Sequence, residues 1–231
     1  MPASTNPALE GISLVFDLDG TLVNTAPDLQ AALNHVLQKH GYNPVLPEVS
    51  DKLIGNGAKA MLRAGLTHQR VQPDERKVDL MFEDFLTYYA ENIDIYSAPY
   101  PGCVACLDRL SQAGAILSVC TNKKQFLADQ LLNSLGLADR FEAIVGADSV
   151  PHRKPDAGHI LATLKAANGE KASAIMIGDS QTDEKAAHNA GLPFIFVPFG
   201  YGPISDDASK RHTLVNYDHL TAELVISLLS A

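Results

Sequence analysis

The sequence lacks any stretch approaching the roughly 18 consecutive apolar residues that a bilayer-spanning helix needs, so no membrane-spanning segment is expected. It is also poor in basic residues: 18 Lys and Arg stand against 27 Asp and Glu, a net charge of −9. That is the wrong sign for a protein that grips nucleic acid through its phosphates, although one lysine and a bound metal can still build a local anion site inside an acidic protein. Cysteine is scarce and odd in number, with only Cys103, Cys106 and Cys120, which argues for a reduced, cytoplasmic setting. Cys103 and Cys106 form a C-x-x-C, but no second pair or histidine follows at zinc-ligand spacing, and Pro99, Pro101 and Gly102 stand where a redox motif would have a strand. The pair is expected to be two small apolar residues on a helix. Residues Met1 to Glu10 carry no Lys or Arg, and the first apolar run, Ile12 to Phe16, is short, so no signal peptide is expected. There is no internal repeat and no low-complexity tract.

What the 231 residues do contain is an ordinary globular balance, 46% hydrophobic and 19% charged. A chain of this size buries roughly 70% of its unfolded surface and needs no disulfide to fold. The β-branched and aromatic run from Gly11 to Asp17 reads as a buried strand. Leu29, Leu33, Val36 and Leu37 share one helical face ended by Gly41, residues 58–66 read as helical, and Val78, Met81, Phe82, Phe85 and Tyr89 form a stripe at helical spacing. The proline- and glycine-rich segment 96–102 marks a boundary. Beyond it, strands at 115–120, 141–145, 174–177 and 194–197 alternate with helices near 104–113, 124–135, 156–167 and 181–190, stopped by Gly136, Gly169 and Gly191, before a last helix at 217–229. Such alternation specifies an α/β fold, a doubly wound, Rossmann-like parallel sheet with helices on both faces. The expected division is a core of residues 1–24 and 98–231, interrupted after its first strand by an all-helical insert of residues 25–97.

Open parallel sheets bind ligands at the carboxyl ends of their strands. After the first strand come Asp17 and Asp19, after the second Thr121-Asn122-Lys123, and after the fourth Gly178-Asp179-Ser180 with Asp183; Lys154 lies in the loop after the third. Three or four carboxylates, a hydroxyl and an ammonium thus converge on one edge. Carboxylates so gathered are hard to keep ionised without a cation, and their oxygens with a backbone carbonyl and waters suit Mg²⁺. Such a site draws in a phosphate dianion, and Gly20 lets the chain turn sharply to expose N–H groups to phosphate oxygens.

Asp17-Leu-Asp-Gly-Thr-Leu-Val, Thr121-Asn122, Lys154-Pro and Gly178-Asp-Ser-x-x-Asp183 resemble the four ordered motifs of the haloacid dehalogenase-like hydrolases. The likeness spans nearly the whole chain, because the helical insert resembles that family's mobile cap. Within the family, Ile54-Gly-Asn-Gly-Ala-Lys-Ala, Pro99-Tyr-Pro-Gly and Val119-Cys-Thr-Asn-Lys are similar to the bacterial phosphoglycolate phosphatases. The resemblance implies a Mg²⁺-dependent phosphatase acting through an aspartyl-phosphate, on a small phosphorylated metabolite such as 2-phosphoglycolate, as a monomer or homodimer. It implies Asp17 as nucleophile and metal ligand, and Asp19 as general acid and base, with its carbonyl on the metal. It implies Lys154 and Thr121 as phosphate ligands, with Asn122 and Gly20 beside them, and Asp179 as the third metal ligand. Asp183 is expected to orient a metal-bound water or Lys154. Lys59, with Gly55, Asn56 and Gly57, is expected on a closing loop that meets the substrate carboxylate, since helix N-termini attract anions.

Other chemistries of the family fit less well. Asp19 argues against a metal-free dehalogenase, Thr21 against a mutase, which resembles Asp-x-Asp-Gly-Val at the first motif, and phosphonate cleavage needs a cap lysine such as Lys52 or Lys59. A sugar-phosphate phosphatase would keep all four motifs and is the competing reading. A non-catalytic relative would have lost one of Asp17, Asp19, Lys154 or Asp179, and all are present. Many relatives carry a second proline soon after the lysine, whereas here the run is Lys154-Pro-Asp-Ala-Gly-His. His152, His159 and His188 flank the motifs and are expected on solvated loops or helix faces without a catalytic role.

Overall fold

The structure is a computed structural model that describes residues 7–49, 54, 57–202, 204 and 211–230. Its strands are β1 (Ser13–Phe16), β2 (Val23–Asn24), β3 (Ala98–Pro99), β4 (Ile116–Cys120), β5 (Ala143–Val145), β6 (Ala174–Gly178), β7 (Phe194–Phe196) and β8 (His212–Thr213). Six of them form one parallel sheet in the order β5-β4-β1-β6-β7-β8. β1 lies in the middle, with Phe16 opposite Val119 on one side and Ile177 on the other.

The central strands are buried on both faces, as their unbroken apolar sequences require. Leu14, Phe16, Leu117, Val119, Ile175 and Ile177 pack on one face with the inward sides of α4 (Cys103–Gln112) and α5 (Gln125–Ser134). Their alternate neighbours Val15, Cys120, Ala174 and Met176 pack on the other with α6 (Ala157–Ala166) and α7 (Gln181–Ala190). Each fully buried Leu or Ile contributes about 1.5–3 kcal/mol, so this two-sided core holds the strand ends firmly. Cys103 and Cys106 are buried on α4, as expected of small apolar residues, and burial pushes their thiols up to about 12 and about 11.

Between β2 and β3 the described residues form a helical insert of α1 (Ala26–Lys39), α2 (Ala58–His68) and α3 (Glu75–Glu91). The predicted stripes face one another: Leu29, Leu33, Val36 and Leu37 of α1 and Val78, Met81, Phe85 and Tyr89 of α3 are buried in one cluster with Met61, Leu62 and Leu66 of α2.

Some local expectations needed correction. The neck of the insert is a two-stranded antiparallel ribbon, Val23 opposite Pro99 and Asn24 opposite Ala98, too short to leave an alternating pattern in the sequence. β8 is likewise only two residues long, an edge strand parallel to β7. The last helix, α8 (Ala222–Leu229), starts later than expected because Thr221 caps it, while Tyr217–His219 form a separate turn whose buried Tyr217 donates its hydroxyl to Thr21 O at 2.7 Å. At the end of α6 the left-handed residue is Asn168, at φ 53°, with Gly169 N–H bonded to Leu164 O. Gly169 lacks a side chain for a different reason: a Cβ there would stand 2.3 Å from Ser13 Oγ.

Asp28, on the first turn of α1 and 3% exposed, holds the second linker to the first. Its carboxylate accepts from Tyr96 N–H at 3.0 Å, Ser97 N–H at 2.7 Å and Ser97 Oγ–H at 2.7 Å. Asp28→Ala would strand these donors, and it is expected to lower unfolding free energy by about 2–3 kcal/mol in urea titration. An unchanged midpoint would show that the neck does not depend on this carboxylate.

Candidate active site

Four strand ends meet where the sheet order reverses around β1. Asp17 follows β1 directly, and its Oδ1 accepts from Leu18 N–H at 2.7 Å and lies 2.9 Å from Lys154 Nζ. Lys154, from the loop after β5, also reaches Asp183 Oδ1 at 2.7 Å with its side chain only 1% exposed. Asp183 sits in the first turn of α7, where its Oδ2 accepts from Ser180 N–H and Oγ–H in a capping box. Both its oxygens therefore serve neighbouring protein groups, in keeping with a role in orienting Lys154. Asp179, at the end of β6, has its Oδ2 held by the N–H groups of Tyr201 at 2.8 Å and Gly202 at 3.1 Å.

Carboxylate oxygens of Asp17, Asp179 and Asp183 lie within 4.8 Å of one another. Burial, then Asp183 and Asp179, raise Asp17 well above the usual carboxylate range, and the Lys154 charge only partly opposes them. Burial and then Asp183 push Asp179 up to about 6. Lys154 itself is raised, because Asp17 and Asp183 outweigh the desolvation that would lower it. One ammonium thus leaves an excess of negative charge among hard oxygen donors, and a divalent cation beside Asp17 and Asp179 would relieve it. The donor set fits Mg²⁺ rather than a soft metal, since neither a thiolate nor an imidazole belongs to the cluster.

Gly20 turns the chain after Asp19 with φ 81°, and a Cβ there would come 2.4 Å from Asp179 Oδ2. Its own N–H is bonded to Val23 O at 3.0 Å, so Gly20 shapes the sharp turn of the loop. Asp19 Oδ1 accepts from Thr25 Oγ–H at 2.7 Å and from Lys123 Nζ at 2.8 Å. Thr121 is buried, and its Oγ1 accepts from Lys123 N–H. Asn122 donates its amide to Lys154 O at 3.0 Å and so steadies the lysine loop. Lys59 lies in the first turn of α2, half exposed and 2.7 Å from Asp79. Gly55, Asn56 and Lys52 lie outside the described residues. Asp17, Asp19, Thr121, Lys154 and Asp179 from the core share a cavity of about 720 Å³ with Lys59, Phe82 and Tyr89 from the insert.

Three further contributors escaped sequence reasoning. Lys123 was visible as the third residue after β4 but carried no expected role. Tyr201 left no signal, being far along the chain in a loop: its hydroxyl accepts from Thr25 N–H at 2.6 Å and Ala26 N–H at 3.0 Å, and so joins the Asp179 loop to the start of α1. His159, expected on a solvated face, is completely buried. It lies on the inward stripe of α6 with Ile160, Thr163 and Leu164, a stripe that its polarity disguised. Lys154 N–H donates to His159 Nδ1 at 3.2 Å, so Nε2 carries the proton and donates to Val145 O at 3.1 Å. Burial and then the Lys154 charge push this imidazole down to about 4.

Against known proteins, residues 14–197 match the model of the haloacid dehalogenase-like hydrolase family. A phosphoglycolate phosphatase of Agrobacterium fabrum is 46% identical over 187 residues, 81% of this chain and 80% of its own length. One from Caulobacter vibrioides is 42% identical over 198 residues, 86% of this chain and 84% of its own. The crystal structure of a predicted phosphoglycolate phosphatase from Haemophilus somnus superposes with a TM-score of 0.83 at 27% identity, covering 95% of this chain and 98% of the other. The chain belongs to the haloacid dehalogenase-like hydrolases and is an enzyme of that family.

The buried neutral His159 makes stability depend on pH in a definite direction. The unfolded chain takes up a proton near 6.5, whereas the folded chain resists until about 4, so stability is lost as pH falls through that window. His159→Asn is expected to be less stable at neutral pH yet to lose less thermal midpoint between pH 6.5 and 4 than the parent. Parallel curves for the two proteins would show that another group sets the acid slope.

Proposed function

We propose that this hydrolase is a Mg²⁺-dependent phosphomonoesterase that works through an aspartyl-phosphate on Asp17, with 2-phosphoglycolate as its substrate. The observation that carries the reading is the buried contact of Lys154 with both Asp17 and Asp183 beside Asp179, in the wall of a cavity that Asp19 also lines. The phosphoglycolate phosphatase relatives, alike over more than four-fifths of this chain, support the choice of substrate.

Asp17, with Oδ1 fixed by Leu18 N–H and Lys154, is held against rotation and presents a carboxylate oxygen to phosphorus. As the new O–P bond forms, the ester O–P bond breaks and the leaving oxygen takes a proton from Asp19. In the second half, Asp19 takes a proton from water as that water attacks phosphorus, and the Asp17 carboxylate is released. Splitting one displacement into two lets a single aspartate pair serve both leaving group and water. Lys154 and Thr121 hold the transferred group's oxygens, and Asn122 keeps the lysine loop in place. Mg²⁺ held by Asp17, Asp179 and the Asp19 carbonyl would neutralise phosphoryl charge and draw the dianion in. The insert roofs the cavity with Phe82, Phe85 and Tyr89 and excludes bulk water.

Asp17→Asn is expected to lower phosphate release from 2-phosphoglycolate by at least about a thousandfold, as loss of a covalent nucleophile does. EDTA should abolish release by the parent enzyme. Among small phosphomonoesters, including sugar phosphates, 2-phosphoglycolate should lead in kcat/KM. A sugar phosphate in the lead would move the substrate assignment and leave the chemistry intact; release surviving Asp17→Asn would sink the chemistry. Metal binding has its own readout. Asp179→Asn should raise the metal-free thermal midpoint by relieving carboxylate crowding, and it should remove the upward shift that Mg²⁺ gives the parent protein.

A further inference from the structure

Lys123 is a buried cation that the reaction sketched above does not employ. It follows Thr121 and Asn122 at the end of β4, and its side chain is 5% exposed. Of its three ammonium protons, one goes to Asp19 Oδ1 at 2.8 Å and one to the Tyr89 hydroxyl at 2.8 Å, and the third has no partner among the described residues. The ammonium also lies 4.6 Å from the centre of the Tyr89 ring. A buried charge with an unused donor is costly unless something arrives to take it. Lys123 lines the cavity that holds Asp17 and Asp19, so an incoming substrate can supply the missing acceptor.

Of the other cations that line this cavity, Lys154, Lys59 and Arg63 are paired with carboxylates, whereas Lys124, 5.5 Å from the centre of the Phe82 ring, and Arg153 are more exposed than Lys123. Lys154 is held between Asp17 and Asp183. Lys59 is 2.7 Å from Asp79 and Arg63 is bonded through two nitrogens to Glu75, and both line the cavity from the insert side with their side chains partly in solvent. Lys59, which sequence reasoning favoured for a carboxylate, is thus the weaker candidate.

Resting on the substrate reading above, we infer that Lys123, steadied by Tyr89, is the specificity-determining residue that binds the carboxylate of the substrate. Chemistry puts the carboxylate there. Asp19 protonates the ester oxygen, one methylene separates that oxygen from the carboxylate carbon, and Lys123 is one contact away from Asp19. A substrate carboxylate accepts a hydrogen bond from the third ammonium N–H and competes with Asp19 for the ammonium charge. Tyr89 belongs to α3 of the insert and Lys123 to the core, so the subsite is complete only with the insert closed over the cavity. A phosphomonoester without the carboxylate leaves Lys123 bound to Asp19.

The test compares 2-phosphoglycolate with ethyl phosphate, in which a methyl replaces the carboxylate, for the parent, Lys123→Met and Lys123→Arg. The ratio of the two kcat/KM values does not depend on the folded fraction, because both substrates meet the same preparation. Both activities should fall in Lys123→Met, since Asp19 loses a neighbour, but the ratio should fall by at least about tenfold, the loss of one charge-assisted contact. Lys123→Arg should restore part of it, and Tyr89→Phe should lower it in the same direction. Inhibition by glycolate should weaken in Lys123→Met while inhibition by inorganic phosphate persists. A parent that prefers 2-phosphoglycolate and a Lys123→Met variant with the same preference would overturn the inference and leave the substrate reading standing. If the parent instead prefers another carboxylate-bearing phosphomonoester over its decarboxylated analogue, and Lys123→Met loses that preference, the substrate reading falls and the inference stands. No preference for a carboxylate in the parent would overturn both.

Discussion

The position of one ammonium group governs the site. Lys154 is buried between Asp17 and Asp183, and little water screens the three charges from one another. Breaking a buried pair by removing one partner typically costs about 3–5 kcal/mol, because the other charge is left stranded. The three residues come from three places, namely the end of β1, the loop after β5 and the first turn of α7, so the arrangement constrains the whole sheet. Phe16 must stand level with Val119 and Ile177 for the residues that follow them to converge. A slip of one residue in β1 would exchange Val15 with Leu14 and Phe16 across the two faces and carry Asp17 away from Lys154. The two-sided apolar core is what forbids that slip.

The same constraint reaches the insert through a short chain of contacts. Asp179 is fixed by the N–H groups of Tyr201 and Gly202, and the Tyr201 hydroxyl receives the first N–H groups of α1. Those N–H groups are among the unpaired donors that every helix start must satisfy. Thr25, at the same junction, uses its hydroxyl on Asp19. The polar residues of the neck thus have partners in the site, and the carboxylate cluster and the entry to the insert are positioned by shared groups.

Much of this was legible in the residues. Strands buried on both faces announce themselves as continuous apolar runs, and the helices of the insert by stripes at helical spacing, because burial acts on whole elements. The strand-end carboxylates and Lys154 were legible for a related reason: an acidic group directly after a buried strand can lie only at the sheet edge. What stayed hidden depends on pairs distant in sequence. The two-residue strands of the neck have no period to read. Tyr201 acts through a hydroxyl and a backbone N–H at once, which no composition betrays. His159 looked polar and therefore exposed, although both its ring nitrogens find partners in the interior, the backbone N–H of Lys154 and the carbonyl of Val145. Lys123 stood in plain view after Thr121 and Asn122, but only the fold shows that the hydroxyl of Tyr89, from the insert, and the carboxylate of Asp19 meet on its ammonium.

That meeting bears on how a family of hydrolases can keep one chemistry and change its substrate. The groups proposed to act on phosphorus all come from the sheet edge and are fixed by the sheet's own register, so they cannot vary independently. The insert is freer, since it touches the chemistry chiefly through its roof over the cavity and through Tyr89 on Lys123. On the proposed reading, a change on α3 can therefore alter which leaving group fits beside Asp19 without displacing Asp17 or Lys154. Phe82 and Phe85 offer apolar surface, while polarity from the insert comes from Lys59 and Arg63 and, at the seam with the core, from Tyr89 on Lys123. On that same reading, specificity on this scaffold follows from the few contacts where insert and core share a charge, while the phosphoryl chemistry follows from contacts within the core.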